Sequence, residues 1–130
     1  MPKTIYIAAA LLLDAQGRSL LVRKRGSSIF MQPGGKIDAG ETPLQALVRE
    51  LEEELQLRID PAQARPLGQF RGPAANEPGF EVCCELFEVR TEQAVEPAAE
   101  IEEARWVTSP DGLQVAPLSR DQIFPRFMPA

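Results

Sequence analysis

The apolar positions of the chain fall into two rhythms, and the change of rhythm outlines the fold. Thr4 to Asp14 is an almost unbroken run of Ile, Ala and Leu, the pattern of a strand covered on both faces. Asp14-Ala15-Gln16-Gly17 interrupts it with turn-forming residues, and Ser19 to Lys24 reads as the returning strand of a hairpin. Gly26 to Gly35 reads as a loop ending in Pro33-Gly34-Gly35. The period then changes. Leu44, Leu47, Val48, Leu51 and Leu55 recur at helical spacing behind Thr42, a good N-cap residue, and Pro43, suited to a first helical turn. After Asp60-Pro61 the chain is strand-like again, with a short candidate at Leu67 to Phe70 and a long one at Phe80 to Val89. Gly72 to Gly79 between them is a loop by composition. Arg105 to Thr108 predicts a last short strand, Ser109-Pro110-Asp111 opens a helical turn, and Ser119 to Phe124 predicts a terminal helix. Strands dominate and one strong helix is inserted, so the expected class is a mixed α/β or α+β sandwich, with residues 1–130 forming one domain.

Composition leaves that outline unchanged and narrows the chemistry. A chain of 130 residues can bury a core without disulfides. It contains no histidine, which removes Ser-His-Asp and Cys-His nucleophiles and any His-ligated zinc. Its two cysteines, Cys83 and Cys84, are adjacent and cannot form the paired arms of a structural zinc site. A metal would therefore be held mainly by oxygen, which points to magnesium, manganese or calcium. With 19 Asp plus Glu against 14 Lys plus Arg, the net charge of −5 argues against polymeric nucleic acid as a partner. The local cluster Arg23-Lys24-Arg25 can still hold a phosphate. Met1-Pro2-Lys3 ahead of the apolar run Ile5 to Leu13 mimics a signal peptide. No small-residue cleavage site follows, though, and the run is too short to span a bilayer. The expectation is a buried strand, a cytoplasmic protein and no membrane association; free thiols suit such a reducing compartment.

Candidate chemistry gathers around the helix. With Glu50 set at zero on a helical wheel, Glu53 falls near about −60° and Glu54 near about +40°, while the apolar set spans roughly +60° to +160°. Three carboxylates share one arc, either as a solvated acidic face or as a cation site. Their mutual repulsion, a few tenths of a kcal/mol per pair, is too small to decide between these. Upstream, Gly34 and Gly35 offer backbone without side chains, either as a plain tight turn or as a surface that a phosphate can approach closely. Lys36 and Arg23 add positive charge nearby, so Gly34, Gly35, Lys36 and Arg23 are the candidate substrate contacts.

Gly35, five residues, Glu41, seven residues, then Arg49-Glu50-Leu51-Glu52-Glu53-Glu54-Leu55-Gln56-Leu57 resembles the Nudix box of MutT-like hydrolases. Its pattern is Gly-x5-Glu-x7-Arg-Glu-U-x-Glu-Glu-x-Gly-U, where U is aliphatic, and residues 35–57 meet all its defined positions but one. The departure is Gln56 in place of glycine, which alters how the helix ends and removes no charge. The resemblance implies a single Nudix-type α/β/α sandwich around a mixed sheet. It implies that Glu50, Glu53 and Glu54 hold Mg2+, with Mn2+ as a substitute, and that Arg49 orients the catalytic carboxylates and pairs with Glu41. The implied reaction is water attack on a diphosphate linkage of a nucleotide or nucleotide derivative. The alternative is a non-catalytic Nudix-fold module that senses a nucleotide or binds a protein. Intact box carboxylates favour the enzyme.

Glu100 to Val107 is similar to the family's acidic loop leading into a Trp-containing strand. The resemblance makes Glu100 a candidate metal ligand or general base, with Glu103 the second choice and Glu50 the candidate inside the box; the other reading is a solvated acidic loop. Trp106 is expected in the core. Specificity is expected in Ser27 to Gln32 and Gly72 to Gly79, where Phe30, Met31, Phe70 and Phe80 are either base-stacking residues or core. The resemblance leaves a homodimer open.

Overall fold

The computed structural model describes residues 3–128; Met1 and Pro2, at the head of the signal-like segment, lie outside the described residues. β1 (Lys3–Leu13) is the central strand. It runs parallel to β6 (Phe80–Arg90) over its whole length, from Lys3 opposite Phe80 to Leu13 opposite Arg90. Along its other edge it meets β4 (Gly34–Lys36) at Ile7 to Ala9, and then β2 (Ser19–Lys24) at Leu13, both antiparallel. β5 (Arg65–Pro73) lies antiparallel on the outer edge of β6. β2 diverges from β1 and pairs with β7 (Ile101–Val107) on one side and β3 (Phe30–Met31) on the other.

The unbroken apolar run of β1 is explained by cover on both faces. Ala8, Ala10 and Leu12 pack under α1 (Pro43–Leu55) together with Leu47, Leu51 and Leu55. Ala9, Leu11 and Leu13 face the other way, against Phe70, Leu86, Leu118 and Ile123. The result is an α/β/α sandwich around a mixed sheet. The three α1 leucines have no exposed surface, and burying each is worth about 2 kcal/mol, which fixes the helix on the sheet. Thr42 caps α1: its hydroxyl accepts from the Gln45 N–H (3.1 Å), and the Gln45 side chain accepts from the Thr42 N–H (2.9 Å). Gln56 ends it in the left-handed region at φ 53°, the conformation a glycine takes most easily. Among the described residues no helix is long and apolar enough to cross a membrane.

Several boundaries differ from expectation. The segment Gly26 to Gly35 contains two short strands, and Gly34-Gly35 belongs to β4 rather than to a loop. Glycines carry no alternation signal; their pairing is visible only once β1 lies beside them. β5 extends beyond Leu67–Phe70 at both ends because β6 supplies a long partner. β7 begins at Ile101, so most of the acidic stretch is strand. The terminal helix is a π-helical turn, Ser119–Ile123, followed by the single turn α2 (Phe124–Phe127). Pro125 has no N–H to continue an α ladder, and the Phe124 N–H reaches back five residues to the Ser119 carbonyl.

Candidate active site

Arg49 is the organising cation. Its Nε and Nη2 donate to the two oxygens of Glu41 at 2.8 and 2.9 Å, and Nη1 donates to Glu50 Oε1 at 2.7 Å and Glu53 Oε2 at 3.3 Å. Nη2 also reaches the Lys36 carbonyl at 3.1 Å. One planar fork thus ties the residue before the helix cap, the end of β4 and two helix carboxylates into one unit, geometry a lysine could not supply. A simple surface pair with Glu53 would be only the longest of these contacts. The Arg49 hydrogen bonds, helped by the Asp38 N–H, hold the Glu41 carboxyl down at about 2.

The acidic arc of α1 is not uniformly solvated. Glu53 is exposed, Glu50 is mostly covered, and Glu54 is only 2% exposed. One Glu54 oxygen accepts the Gly34 N–H at 3.1 Å. Burial pushes the Glu54 carboxyl up to about 8 against that hydrogen bond, with Glu50 and Glu100 pushing the same way and Lys24 opposing. Burial also raises Glu50, and Arg49 opposes it. The two glycines explain how these carboxylates come so close to the sheet. A Cβ on Gly35 would lie 2.5 Å from the Glu50 carboxyl carbon. A Cβ on Gly34, where φ is +149°, would collide with the Ala8 carbonyl oxygen and lie 2.6 Å from Ala9 Cα.

β2 and β7 carry the remaining candidates. Their cross-strand ladder pairs Lys24 with Glu100 (3.4 Å), Arg25 with Glu102 (3.4 Å) and Arg23 with Glu103 (3.3 Å). Glu100, close enough to act electrostatically on both Glu50 and Glu54, belongs with the helix carboxylates. Glu103 does not: Arg105 and Arg23 hold it, and their hydrogen bonds keep its carboxyl below the usual range. Arg23 is likewise spent on Glu103, the Ser27 carbonyl and the Phe30 ring, whereas its neighbour Lys24 borders the cleft described next. Trp106 packs partly buried against the core under α1.

A cleft of about 140 Å³ opens on the sheet face opposite α1, roughly ten times the space that holds one water. Gly34 and Gly35 line it, and the same two residues touch Glu54 and Glu50, so the glycine strand is a wall shared by cleft and carboxylates. Ile7, Ala9, Val82 and Cys84 form an apolar floor, and Leu118 and Ile123 close one side. Both segments expected to carry specificity contribute: Met31 and Gln32 from one, Pro73 to Glu77 from the other. Lys36 reaches Glu77 at 3.8 Å, and the Ser27 hydroxyl reaches Asn76 at 3.1 Å, pinning the second segment over the cleft mouth. Phe30 and Phe70 are buried core, and Phe80 lies beside the Lys3 ammonium. The C-terminal lining was not legible beforehand, because nothing local in Leu118, Ser119 or Ile123 signals a ligand.

Among the described residues, no three carboxylates stand ready-made as a metal cage. Glu50 leans toward Arg49, and Glu54 toward the Gly34 amide. The donor set nonetheless fits a hard divalent cation. It consists of oxygen alone, and one carboxyl is desolvated, its ionised form disfavoured first by burial and then by Glu50 and Glu100, which a cation would reverse.

Comparison with known proteins agrees with this architecture. The NUDIX domain model matches residues 3–127. A stretch of 75 residues is 41% identical to the 8-oxo-dGTP diphosphatase of Haemophilus influenzae, covering 55% of each chain. A longer alignment, 34% identical over 123 residues, takes in 88% of this chain but 33% of an octanoyltransferase from Myxococcus xanthus. The chain thus spans about half, or less, of the length of these curated relatives. The crystal structure of the MutT protein from Methanosarcina mazei Go1 superposes with a TM-score of 0.80 over 96% of this chain and 93% of that one, at 23% identity, which shows a shared fold. With box, sandwich and family match in agreement from one end of the described chain to the other, the protein belongs to the Nudix family.

Proposed function

We propose that the protein is a divalent-cation-dependent hydrolase of a diphosphate linkage in a nucleotide or nucleotide derivative. The observation that carries the reading is Glu54: a nearly fully buried carboxylate, pressed by Glu50 and Glu100, sharing a glycine wall with an open cleft. A carboxyl group buried where its ionised form is so poorly compensated costs the free protein stability as pH rises, and a bound cation would supply the missing charge. Glu50, Glu53 and Glu54 would hold the cation, Mg2+ or Mn2+, which when bound screens phosphate charge and acidifies water.

The other groups follow from their contacts. Arg49 fixes Glu50 and Glu41 so that the carboxylates face the glycine strand in one orientation. Gly34 and Gly35 let a phosphate approach the backbone, and Lys24 and Lys36 supply positive charge at the cleft rim. Arg23, engaged by Glu103, contributes by holding β7 to β2. Two carboxylates are eligible to accept the proton of the attacking water, Glu50 and Glu100; Glu103, held by two arginines, is a poor base. The named activity of the Haemophilus relative, an 8-oxo-dGTP diphosphatase, supports the same reaction class.

The test is a panel of nucleoside triphosphates, 8-oxo-dGTP, dinucleoside polyphosphates, nucleotide sugars and ADP-ribose, assayed with Mg2+, with Mn2+ and with chelator. Cation-dependent product release, lost in folded Glu53→Gln and Glu54→Gln proteins, is expected. Turnover that survives both substitutions would show the site to be wrongly assigned. Nucleotide binding without turnover of any substrate would favour the non-catalytic module.

A further inference from the structure

Among the described residues, Gln32 is the one cleft-lining side chain with a buried polar atom that lacks a hydrogen-bond partner. It is 7% exposed and sits between β3 and β4, one residue before Pro33. Its Oε1 accepts a hydrogen bond from the Ser119 hydroxyl, itself buried at the start of the C-terminal π-helical turn. Its Nε2 has no partner, although it is wholly buried. Gln32 and Ser119 both line the cleft, over the floor formed by Ile7, Ala9 and Val82. A buried N–H without an acceptor destabilises the free protein and is rare in folded chains. Gln32 stands in the wall of an open cleft, so a small turn of its side chain would present that donor to a ligand that brings its own acceptor.

We propose that Gln32 is a specificity-determining residue, held by Ser119 as a positioning residue, that donates through Nε2 to a ring carbonyl oxygen on a nucleobase. This deepens the hydrolase reading and rests on it for the fate of the bound molecule. A base suits the cleft because it is flat and largely apolar, with fixed donors and acceptors along its edge. A sugar would bury several hydroxyls against a lining with few partners for them. The direction of the hydrogen bond carries the selectivity. A free glutamine amide reads an adenine edge with its oxygen and nitrogen together, but here the oxygen is already engaged. What remains is a lone donor, which matches a carbonyl and faces an exocyclic amino group with two like donors. The preferred substrates are therefore nucleotides whose base presents a carbonyl where its counterpart carries an amino group.

Two substrate pairs carry that change, each together with the adjacent ring nitrogen, which is an N–H in the carbonyl member and an acceptor in the amino member: ITP against ATP, and UTP against CTP. With Mg2+ present, the intact protein should favour the carbonyl member of at least one pair by roughly tenfold to a hundredfold in kcat/KM, the range a mismatched buried donor imposes. Gln32→Leu should bring that ratio to within about threefold of one, and Gln32→Glu, which offers an acceptor, should move it toward ATP or CTP. Ser119→Ala should shrink the ratio chiefly through KM, because an unheld amide can turn its oxygen outward. Equal use of both members of each pair by the intact protein, or a ratio that survives Gln32→Leu, would overturn the proposal and leave the hydrolase reading standing. Side-chain amide NMR separates the reverse case. Titrating inosine and adenosine, which carry no phosphate, into the labelled protein should shift the Gln32 NH2 resonances with inosine and leave them with adenosine. That pattern, in a protein that hydrolyses no member of the substrate panel, would sink the hydrolase reading and keep this one; shifts of equal size with both nucleosides would refute it.

Discussion

Replacing Gly35 by alanine should separate catalysis from stability, because the three atoms nearest the added methyl group all belong to one functional side chain. Its Cβ would stand 2.5 Å from Glu50 Cδ and 2.7 Å from both carboxylate oxygens. Ordinary carbon–carbon contacts lie near about 3.5–4.0 Å, so Glu50 must retreat by about 1 Å. The 2.7 Å bond to Arg49 Nη1 would stretch or break with it. Misplacing a reacting group by that much costs roughly a hundredfold in turnover. The stability change is small: an off-rotamer Glu50 costs about 0.5–1.5 kcal/mol, and alanine returns about 0.4–1 kcal/mol by restricting the unfolded chain. Gly34→Ala is the contrast. There the methyl group would strike the Ala8 carbonyl and Ala9 Cα, both backbone, at a φ of +149° that alanine rarely adopts. Relief requires β4 to leave β1, at a cost of about 3 kcal/mol or more from strain and lost hydrogen bonds. Thermal unfolding and kcat on the best substrate of the panel, measured on both variants, decide the matter. Gly35→Ala should melt within a few degrees of the parent while losing about two orders of magnitude in turnover, and Gly34→Ala should melt at least about ten degrees lower. Equal melting losses in the two variants, with Gly35→Ala turning over normally, would refute the steric reasoning.

Other consequences are testable on the same protein. The Glu54 carboxyl, raised by burial to about 8 in the folded chain and ordinary when unfolded, lends stability that is complete below about pH 4.5 and lost as pH rises toward 8. The span is on the order of 5 kcal/mol, so chelator-treated protein should unfold at steadily lower urea between pH 5 and 8; a Glu54→Gln profile just as steep would contradict this. Gln56 holds φ at 53° without being glycine, and Gln56→Gly should raise stability by about 1 kcal/mol in chemical denaturation; a loss would mean that the side chain, not the cap geometry, matters. Cys83 and Cys84 are both buried, and burial first of all pushes the Cys84 thiol up to about 12. A thiol-reactive dye should therefore label neither cysteine in the native protein and both in denaturant, and rapid native labelling would show that β6 opens locally.

The sequence by itself determined what local chemistry can write into a chain. The apolar run of β1, the helical recurrence of Leu44 to Leu55 and the Thr42-Pro43 start gave the central strand and the helix, because burial on two faces and on one face leave different periods. The absence of histidine directed acid–base work toward the plentiful carboxylates, and the spacing from Gly35 to Leu57 carried the family. Tertiary structure decided everything that depends on which segments meet. Glu50, Glu53 and Glu54 share one arc of the helical wheel, with Glu54 nearest the apolar stripe; that Glu54 is almost wholly buried follows from the Gly34 amide lying over it, with β4 pinned to β1. Glu100 and Glu103 are alike as loop carboxylates, yet the β2–β7 register leaves one beside the helix and hands the other to two arginines. The meeting of Gln32 with Ser119 across 87 residues has no trace in either local sequence, since a hydrogen bond between distant segments is set by packing and not by propensity.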